Sequence, residues 1–192
     1  MKKQLLIDHI SRHVMLSKND VSLIRSFLKL KKVRRRQILL EETEIQKNGF
    51  FVVSGCLKSY TIEKNGFERV VQFASSGWWI GDMFSLKNQE PASLYIDAVF
   101  DSEILLLSHV DLNNLYEMMP NLERCFRLLA ENAFAASQRR IIETVSLTAL
   151  ERYQCFKKRY PSLFELLPQK LIASYIGITP EFLSRILRDL TN

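Results

Sequence analysis

The chain has 192 residues, of which 47% are hydrophobic and 25% are charged. This composition is typical of globular proteins rather than of disordered, collagen-like or disulfide-dense chains. Its longest apolar runs fall far short of the roughly 20 residues that span a membrane, and charged residues interrupt the N-terminal stretch where a secretory signal needs an apolar run. We therefore expect one or two domains, no membrane partner and a cytoplasmic location. The net charge of +6 suits a polyanionic partner but does not identify one.

Helical periodicity precedes strand periodicity in the N-terminal part of the chain. Apolar residues recur at steps of three and four over 5–30, which predicts short amphipathic helices. Ser17 is a plausible N-cap, with Asp20 in the first turn. Short segments rich in Val, Ile, Phe and Tyr then predict strands over 33–40, 49–54, 57–63, 67–73, 94–100 and 103–108. The Asn65-Gly66 step predicts a hairpin, and the set indicates a small antiparallel barrel or sandwich.

The pattern becomes helical again after Ser108. Asp111 opens a short helix that should end before Pro120. A long helix then runs to about Val145, with a stripe at alternating steps of four and three formed by Leu122, Phe126, Leu129, Ala133 and Ala136. The stripe could be an intramolecular core contact or a self-association seam, and its small alanines favour the seam.

A helical pair is predicted over 168–190, after a helix over 147–160 that Pro161 ends. Within the pair, Ala173 is small where two helices cross closely, and Gly177 lies where a turn needs positive φ. The helices are expected to contact each other through Ile172, Ile176, Ile178, Leu183 and Ile186. This pattern is typical of a helix-turn-helix, a motif that reads DNA. The competing interpretation is an ordinary helical hairpin with a solvated charged face.

The second helix of the pair carries polar residues suited to a major groove. Arg185 could donate two hydrogen bonds to guanine, and Glu181 could accept one from cytosine. Arg188 and Lys170 are expected on phosphates, which position a protein without reading sequence. A threonine suits the N-cap and a proline the first helical position. The predicted DNA-binding face comprises Lys170, Thr179, Pro180, Glu181, Ser184, Arg185 and Arg188.

These features together resemble the Crp/Fnr family of bacterial transcription regulators, over nearly the whole chain. The resemblance implies an α+β fold in which 1–118 form a β jelly-roll effector domain of the cyclic-nucleotide-binding type. It makes 119–146 a long dimerisation helix and 147–192 a C-terminal helix-turn-helix domain. It also implies a homodimer on a palindromic operator in double-stranded DNA. Because the sequence lacks the family's wing strand after the second helix, we expect a truncated winged helix.

The resemblance assigns base contacts to the start of the second helix, at Pro180, Glu181 and Arg185. The last two keep the residue types of the family, whereas Pro180 stands where an Arg is usual. At least one base preference is therefore expected to differ.

The family's cyclic-nucleotide cassette is only partly present. In that family a Gly-Glu pair opens a short helix and an Arg-Ser pair follows, and these groups hold the ribose and the cyclic phosphate. Here Gly81 is kept, Asp82 replaces the Glu, and Ala92 stands at the Arg position before Ser93. Loss of the Arg removes roughly 1.5 to 3 kcal/mol, about ten- to a hundredfold in affinity. We expect no cAMP, and an unknown effector in a pocket formed by Trp79, Gly81, Asp82, Ser93, Ser137 and Gln138.

Two parts of that pocket have other interpretations. Core packing is the competing role for the adjacent Trp78 and Trp79, whose side chains point to opposite faces of a strand. Ser137 and Gln138 could equally be ordinary polar positions beside the helix seam.

Other site types lack their residues. The cysteines Cys56, Cys125 and Cys155 share no metal-binding spacing. His9 and His13 lie four apart on a predicted helix without a clear third ligand, so we expect no metal. Nothing resembles a hydrolytic motif or an acid–base pair, and we expect no enzyme.

One basic stretch is denser than the rest, with Lys29, Lys31, Lys32, Arg34, Arg35 and Arg36. It could contact DNA or RNA polymerase, but Lys and Arg also protect sheet edges, and we prefer a solvated edge strand. The main prediction is thus a DNA-binding transcription regulator. The competing hypothesis is a ligand-binding sensor module that acts through protein partners.

Overall fold

The structure is a computed structural model, and it describes residues 2–189. Helices α1 (Lys2–Ser11) and α2 (Lys18–Phe27) open the chain. The strands of the described chain are β1 (Lys29–Val33), β2 (Ile38–Leu40), β3 (Asn48–Ser54), β4 (Cys56–Ile62), β5 (Glu68–Ser75), β6 (Trp79–Ile80), β7 (Tyr95–Ala98) and β8 (Ser102–Ser108). The other helices are α3 (Met83–Asn88), α4 (His109–Met118), α5 (Pro120–Ser146), α6 (Ala149–Arg159), α7 (Pro161–Leu166), α8 (Gln169–Ile176) and α9 (Pro180–Asp189). None of these helices has the length and apolar content to cross a membrane.

The first of two compact units comprises residues up to Thr61 together with Gln72–Glu131. Its strands form two four-stranded antiparallel sheets, with the orders β1-β8-β3-β6 and β2-β7-β4-β5. Apolar side chains of both sheets form one core, which includes Val33, Leu40, Phe50, Val52, Leu57, Ile80, Ile96 and Ile104. The predicted antiparallel architecture of short strands, of jelly-roll type, is therefore confirmed.

A second core lies where helices cover one face of the first sheet. Phe51 of β3 and Leu105 of β8 are fully buried among apolar side chains of α1, α2, α4 and the start of α5. Three residues of the predicted α5 stripe belong to this core, namely Leu122, Phe126 and Leu129. Leu122 is buried in it, and Phe126 and Leu129 are half-buried against it. The intramolecular alternative therefore holds for these three residues, and the self-association seam stays a prediction. The two alanines of the stripe are exposed.

Two local signals of the sequence are confirmed at atomic level. Ser17 caps α2, since its hydroxyl accepts from the Asp20 N–H at 3.2 Å and the Asp20 carboxylate accepts from the Ser17 N–H at 2.8 Å. Gly66 adopts a φ of 80° at the tip of the β4–β5 hairpin. The side chain of Asn65 accepts from the Phe67 N–H at 3.0 Å there, as short polar turn residues do.

Two predicted element limits are wrong, each for a backbone reason. The strand predicted over 33–40 is divided into β1 and β2, because a turn with Arg36 at φ 64° lies between them. The strand predicted to Phe100 ends at Ala98, since the next N–H bonds to the Cys56 carbonyl at 2.8 Å. The prediction that a helix ends before Pro161 is confirmed, since α6 ends at Arg159. Pro161 also begins α7, which was not predicted, because proline suits the first position of a helix.

The second unit comprises Ile62–Val71 and the residues from Asn132 onward. Thr148 caps α6 in a capping box with Glu151. Helices α6 to α9 share buried apolar residues, with the rings of Phe156 and Tyr175 centred 5.0 Å apart. The predicted helix end at Leu190 and the chain end, on which the truncated wing depends, lie outside the described residues.

Candidate nucleic-acid interface

Helices α8 and α9 are joined by a tight three-residue turn that begins at Gly177. This glycine has a φ of 79°, and its N–H donates to the carbonyls of Ala173 and Ser174. The Ile178 N–H bonds to the Ala173 carbonyl at 3.0 Å. The turn satisfies the last carbonyls of α8 in the manner of a left-handed C-cap. Glycine is needed for its backbone angle rather than for space, since a Cβ there would meet nothing within 4 Å.

The apolar residues predicted to join the two helices lie where the pattern places them. Ala173 and Leu183 are fully buried, as a close helix crossing requires. Ile172, Ile176 and Ile178 are also buried, while Ile186 is half-buried. The pair therefore has one apolar side that packs on the unit and one polar side that does not.

The polar side of α9 is a single helical face. Glu181, Ser184, Arg185 and Arg188 are all exposed, and their spacing of three and four residues puts them on one side of the helix. The Thr179 hydroxyl accepts from the Phe182 N–H at 3.2 Å, so it caps the helix as predicted, and Pro180 is its first residue. Exposed donors and acceptors on one rigid face can meet base edges and phosphates.

The turn and the start of α9 also border a cleft of about 280 Å³. Its lining includes three of the predicted DNA-binding residues, Lys170, Thr179 and Pro180, and the hairpin residues Phe67 and Arg69. Lys170 and Thr179 are exposed and Pro180 is half-buried. The structure thus brings these three predicted residues together beside the exposed face of α9.

The β4–β5 hairpin is hydrogen-bonded to α8 through one serine. The Ser174 hydroxyl donates to the Glu68 carbonyl at 2.6 Å and accepts from the Val70 N–H at 2.9 Å. The side chain therefore bonds to the backbone of β5 as a neighbouring strand would. Arg69 adds a longer bond to the Ile178 carbonyl, at 3.4 Å.

A half-buried arginine of α5 holds the same two elements. The Arg140 guanidinium donates to the carbonyls of Val70 at 2.8 Å and Tyr175 at 3.0 Å, and it lies 4.1 Å from the centre of the Tyr175 ring. Burial lowers the pKa of Arg140, and the Tyr175 and Tyr160 rings beside it act in the opposite direction. Burial raises the pKa of Tyr160 well above its usual value.

Sequence reasoning missed both supporting residues. Arg140 lies four residues after Ala136 and so continues the stripe of α5. This spacing was the one sequence signal that it faces the interior of the unit. Ser174 has no signal of its own, because its partners in β5 are about a hundred residues away along the chain.

The residues of the cyclic-nucleotide cassette are bonded to one another. The Asp82 carboxylate caps α3 through the Ser85 N–H at 3.0 Å, and its other oxygen accepts from the Ser93 N–H at 2.9 Å and hydroxyl at 3.2 Å. Asp82 is only 3% exposed. The Asp82 N–H donates to the Gln46 side chain at 2.6 Å, and a Cβ on Gly81 would come within 2.8 Å of that side chain.

Among the other predicted pocket residues, the indole of Trp79 lies in the core beneath the helices. Its ring is centred 5.3 Å from the ring of Phe51 and 5.6 Å from that of Phe126. Trp78 is 47% exposed, so the two indoles differ as the competing core-packing interpretation expects. In the second unit, Ser137 and Gln138 are exposed on α5, and the Ser137 hydroxyl donates to the Ala133 carbonyl at 2.9 Å.

His9, Cys56 and Cys125 pack against or lie within the core of the first unit. The ring of His9 lies 5.7 Å from that of Phe51, and burial, followed by nearby His13, lowers its pKa. Burial raises the pKa of Cys56 to about 12 and that of Cys125 to about 11. Within residues 2–189, His, Cys, Asp and Glu side chains nowhere gather in threes as metal ligands would.

Comparison with known proteins finds that this chain is similar to bacterial transcription regulators. Residues 30–118 match the cyclic nucleotide-binding domain family. The anaerobic regulatory protein of Pasteurella multocida is 25% identical over 187 residues, which are 91% of this chain and 68% of that protein. The fumarate and nitrate reduction regulatory protein of Vibrio cholerae is 24% identical over 90% of this chain and 73% of its own length. The c-di-GMP responsive global regulator CLP of Xanthomonas campestris shares the fold, with a TM-score of 0.75 at 14% identity over 91% of this chain and 92% of its own.

Proposed function

We propose that the chain is a transcription regulator of the Crp/Fnr type and that it binds double-stranded DNA through the exposed face of α9. The match of residues 30–118 to the cyclic nucleotide-binding domain family and the similarity to anaerobic regulatory proteins support this proposal. The observation that carries the proposal is a polar helix face held on a hydrogen-bonded support. Residues 147–192 would form the DNA-binding domain, 1–118 the effector domain and 119–146 the dimerisation helix of a cytoplasmic protein.

The exposed residues of α9 divide into two roles. Arg185 and Glu181 read bases, since a guanidinium pairs with guanine and a carboxylate accepts from cytosine. Arg188 and Lys170 bind phosphates, with the hydroxyls of Thr179 and Ser184 as further donors and Pro180 bordering the same face. Glu181 and Lys170 form no ion pair among the residues that the structure describes, so both are available to a ligand.

The protein acts as a homodimer through the part of α5 that follows Glu131. Phe134, Ile141 and Val145 are 65%, 63% and 80% exposed on this helix, and their spacing of seven and four residues keeps them near one another on its surface. Large exposed apolar side chains at this spacing are typical of a helix-helix interface. A two-fold dimer would bind two half-sites about one turn of DNA apart, in a palindromic operator.

The effector is unknown and differs from cAMP. The backbone N–H groups of Ser85 and Ser93 already bind the Asp82 carboxylate, so an incoming phosphate would have to displace an internal anion. The cassette also has Ala92, which is 4% exposed, where the family has its Arg. Titration calorimetry with cAMP and cGMP should show no binding at micromolar concentration, and binding of either would contradict this assignment.

The experiment that tests DNA binding is selection of a duplex from a random library by the purified chain. A specific regulator returns one palindromic sequence, whereas a sensor module acting through protein partners returns none. On the selected site, R185A should relax discrimination at one base pair, while R188A should weaken all duplexes alike and lower the salt slope by about 0.9. The control is K47A, an exposed lysine of the first unit, which should change neither quantity.

A further inference from the structure

The loop between β1 and β2 presents three consecutive arginines on a fixed backbone. Its N–H groups are bonded internally: Arg34 to the Gln37 side chain at 2.9 Å, Arg35 to the Asp101 carboxylate at 2.7 Å and Arg36 to the Ala98 carbonyl at 2.7 Å. All three side chains are nevertheless exposed. Hydrogen bonds therefore fix the backbone of the loop, while its three guanidinium groups extend into solvent.

This loop continues a row of cations along an edge strand. β1 is the outer strand of its sheet, and its lysines at 29, 31 and 32 are exposed as well. The six cations form no ion pair among the residues that the structure describes. Of the acids nearby, Glu103 lies opposite Lys32 in register but pairs with Lys2, and Asp101 accepts from the loop backbone. Neither of these two acids is therefore ion-paired with any of the six cations in the part of the chain that the structure describes.

Protection of the sheet edge explains only part of this row. Charged side chains on an outer strand prevent pairing with another chain, which accounts for the three lysines of β1. The arginines follow the end of the strand, where no ladder remains to protect. Arg36 moreover holds a left-handed backbone that a glycine would adopt without strain, and neighbouring like charges repel. Both features are unfavourable to folding. The Arg36 N–H bonds to the Ala98 carbonyl, but within residues 2–189 no ion pair offsets the repulsion between the three arginines.

We propose that the basic loop Arg34–Arg36, with the lysines of β1, binds the phosphate backbone of the DNA that flanks the operator. This inference rests on the proposed DNA-binding function and adds a second contact surface to it. Duplex DNA is the polyanion that the function supplies, and exposed guanidinium groups are suited to pairing with phosphate oxygens. Contacts of this kind raise affinity without reading bases.

The test compares the selected operator at two lengths. The short duplex has two half-sites, about 20 base pairs, and the long one adds about two turns of DNA on each side. The triple variant R34Q/R35Q/R36G should bind the short duplex like the wild type. On the long duplex its salt slope should fall by about 0.9 for each phosphate that the variant no longer binds, up to about 2.7 for each protomer.

Two controls keep the outcomes apart. K18Q/K47Q/K87Q removes three other exposed lysines of the same unit and should leave the long-duplex slope unchanged; an equal fall would overturn the inference as a mere effect of net charge. R36G alone should not lower the midpoint of thermal unfolding, because glycine suits the backbone there. If the wild type selects no sequence, the proposed function fails. If it selects one and the triple variant keeps its slope, only this inference fails, and the surface protects the edge or meets an acidic protein.

Discussion

Replacement of Arg140 by methionine should destabilise the second unit and uncouple the hairpin from the helix-turn-helix. Methionine keeps much of the side-chain volume but removes the donors to the Val70 and Tyr175 carbonyls. Hydrogen bonds from charged groups contribute about 1.5 to 3 kcal/mol each, and the ring contact adds about 1 kcal/mol. The variant no longer has to desolvate a buried guanidinium, and this gain offsets part of the lost hydrogen-bond and ring-contact energy. We therefore expect the free energy of unfolding to fall by about 2 to 4 kcal/mol.

The assay is urea unfolding followed by far-ultraviolet circular dichroism, which reports the helices of both units, so the loss is expected in the part of the signal that the second unit contributes. R139M is a matched control, since it removes an exposed arginine from the preceding position of α5 and should change the free energy of unfolding by less than about 0.5 kcal/mol. The R140M variant should also weaken binding to the selected duplex. If R140M and R139M have equal stability, the guanidinium does not support the fold as described.

Three further results are expected. Burial lowers the pKa of His9, so the unfolded state binds more protons than the folded state in mild acid, and the free energy of unfolding should fall as the pH drops below about 6.5. In thermal unfolding at several pH values, H9F should flatten this decline. An unchanged dependence of the unfolding midpoint on pH would contradict the prediction. D82A leaves the Ser85 and Ser93 N–H groups without their acceptor and should lower the free energy of unfolding by about 2 to 4 kcal/mol, measured by tryptophan fluorescence in urea. D111A, which removes a half-buried carboxylate from the first turn of α4, is the control and should have a smaller effect. G177A should cost about 1 kcal/mol because of its positive φ, and no loss in calorimetry would refute the need for glycine there.

Local chemistry allowed much of the fold to be predicted. The Ser17 cap, the Asn65-Gly66 hairpin and the Gly177 turn depend on residues within a few positions of one another, so composition and spacing contain the signal. Sheet partners and buried polar contacts depend on distant residues instead. The division of 33–40 into two strands follows from a bond between Arg36 and Ala98, which no local pattern reveals.

The candidate site shows the same difference. The exposed face of α9 follows from helical periodicity, and the structure places its polar residues outward. The sequence shows that Asp82 replaces a glutamate of the cyclic-nucleotide cassette. Its hydrogen bonds to Ser93 are not predictable from the sequence, because they depend on how the segment after α3 returns to that helix. The apolar stripe on α5 continues through residues in different environments. Phe126 packs against the core of the first unit, whereas Ala133 is exposed, and periodicity alone does not distinguish the two.

The hairpin has a practical consequence for protein engineering. Ser174 bonds to the backbone of Glu68 and Val70, and Arg140 bonds to the backbone of Val70 as well as to that of Tyr175. Glu68 and Val70 precede the rest of the second unit by more than sixty residues of chain. A fragment starting at Asn132 would thus retain α9 but lose the strand β5, whose backbone is hydrogen-bonded to α8 and α5. Transfer of the α8–α9 helix pair to another protein should therefore preserve its fold only when residues 62–71 are transferred with it.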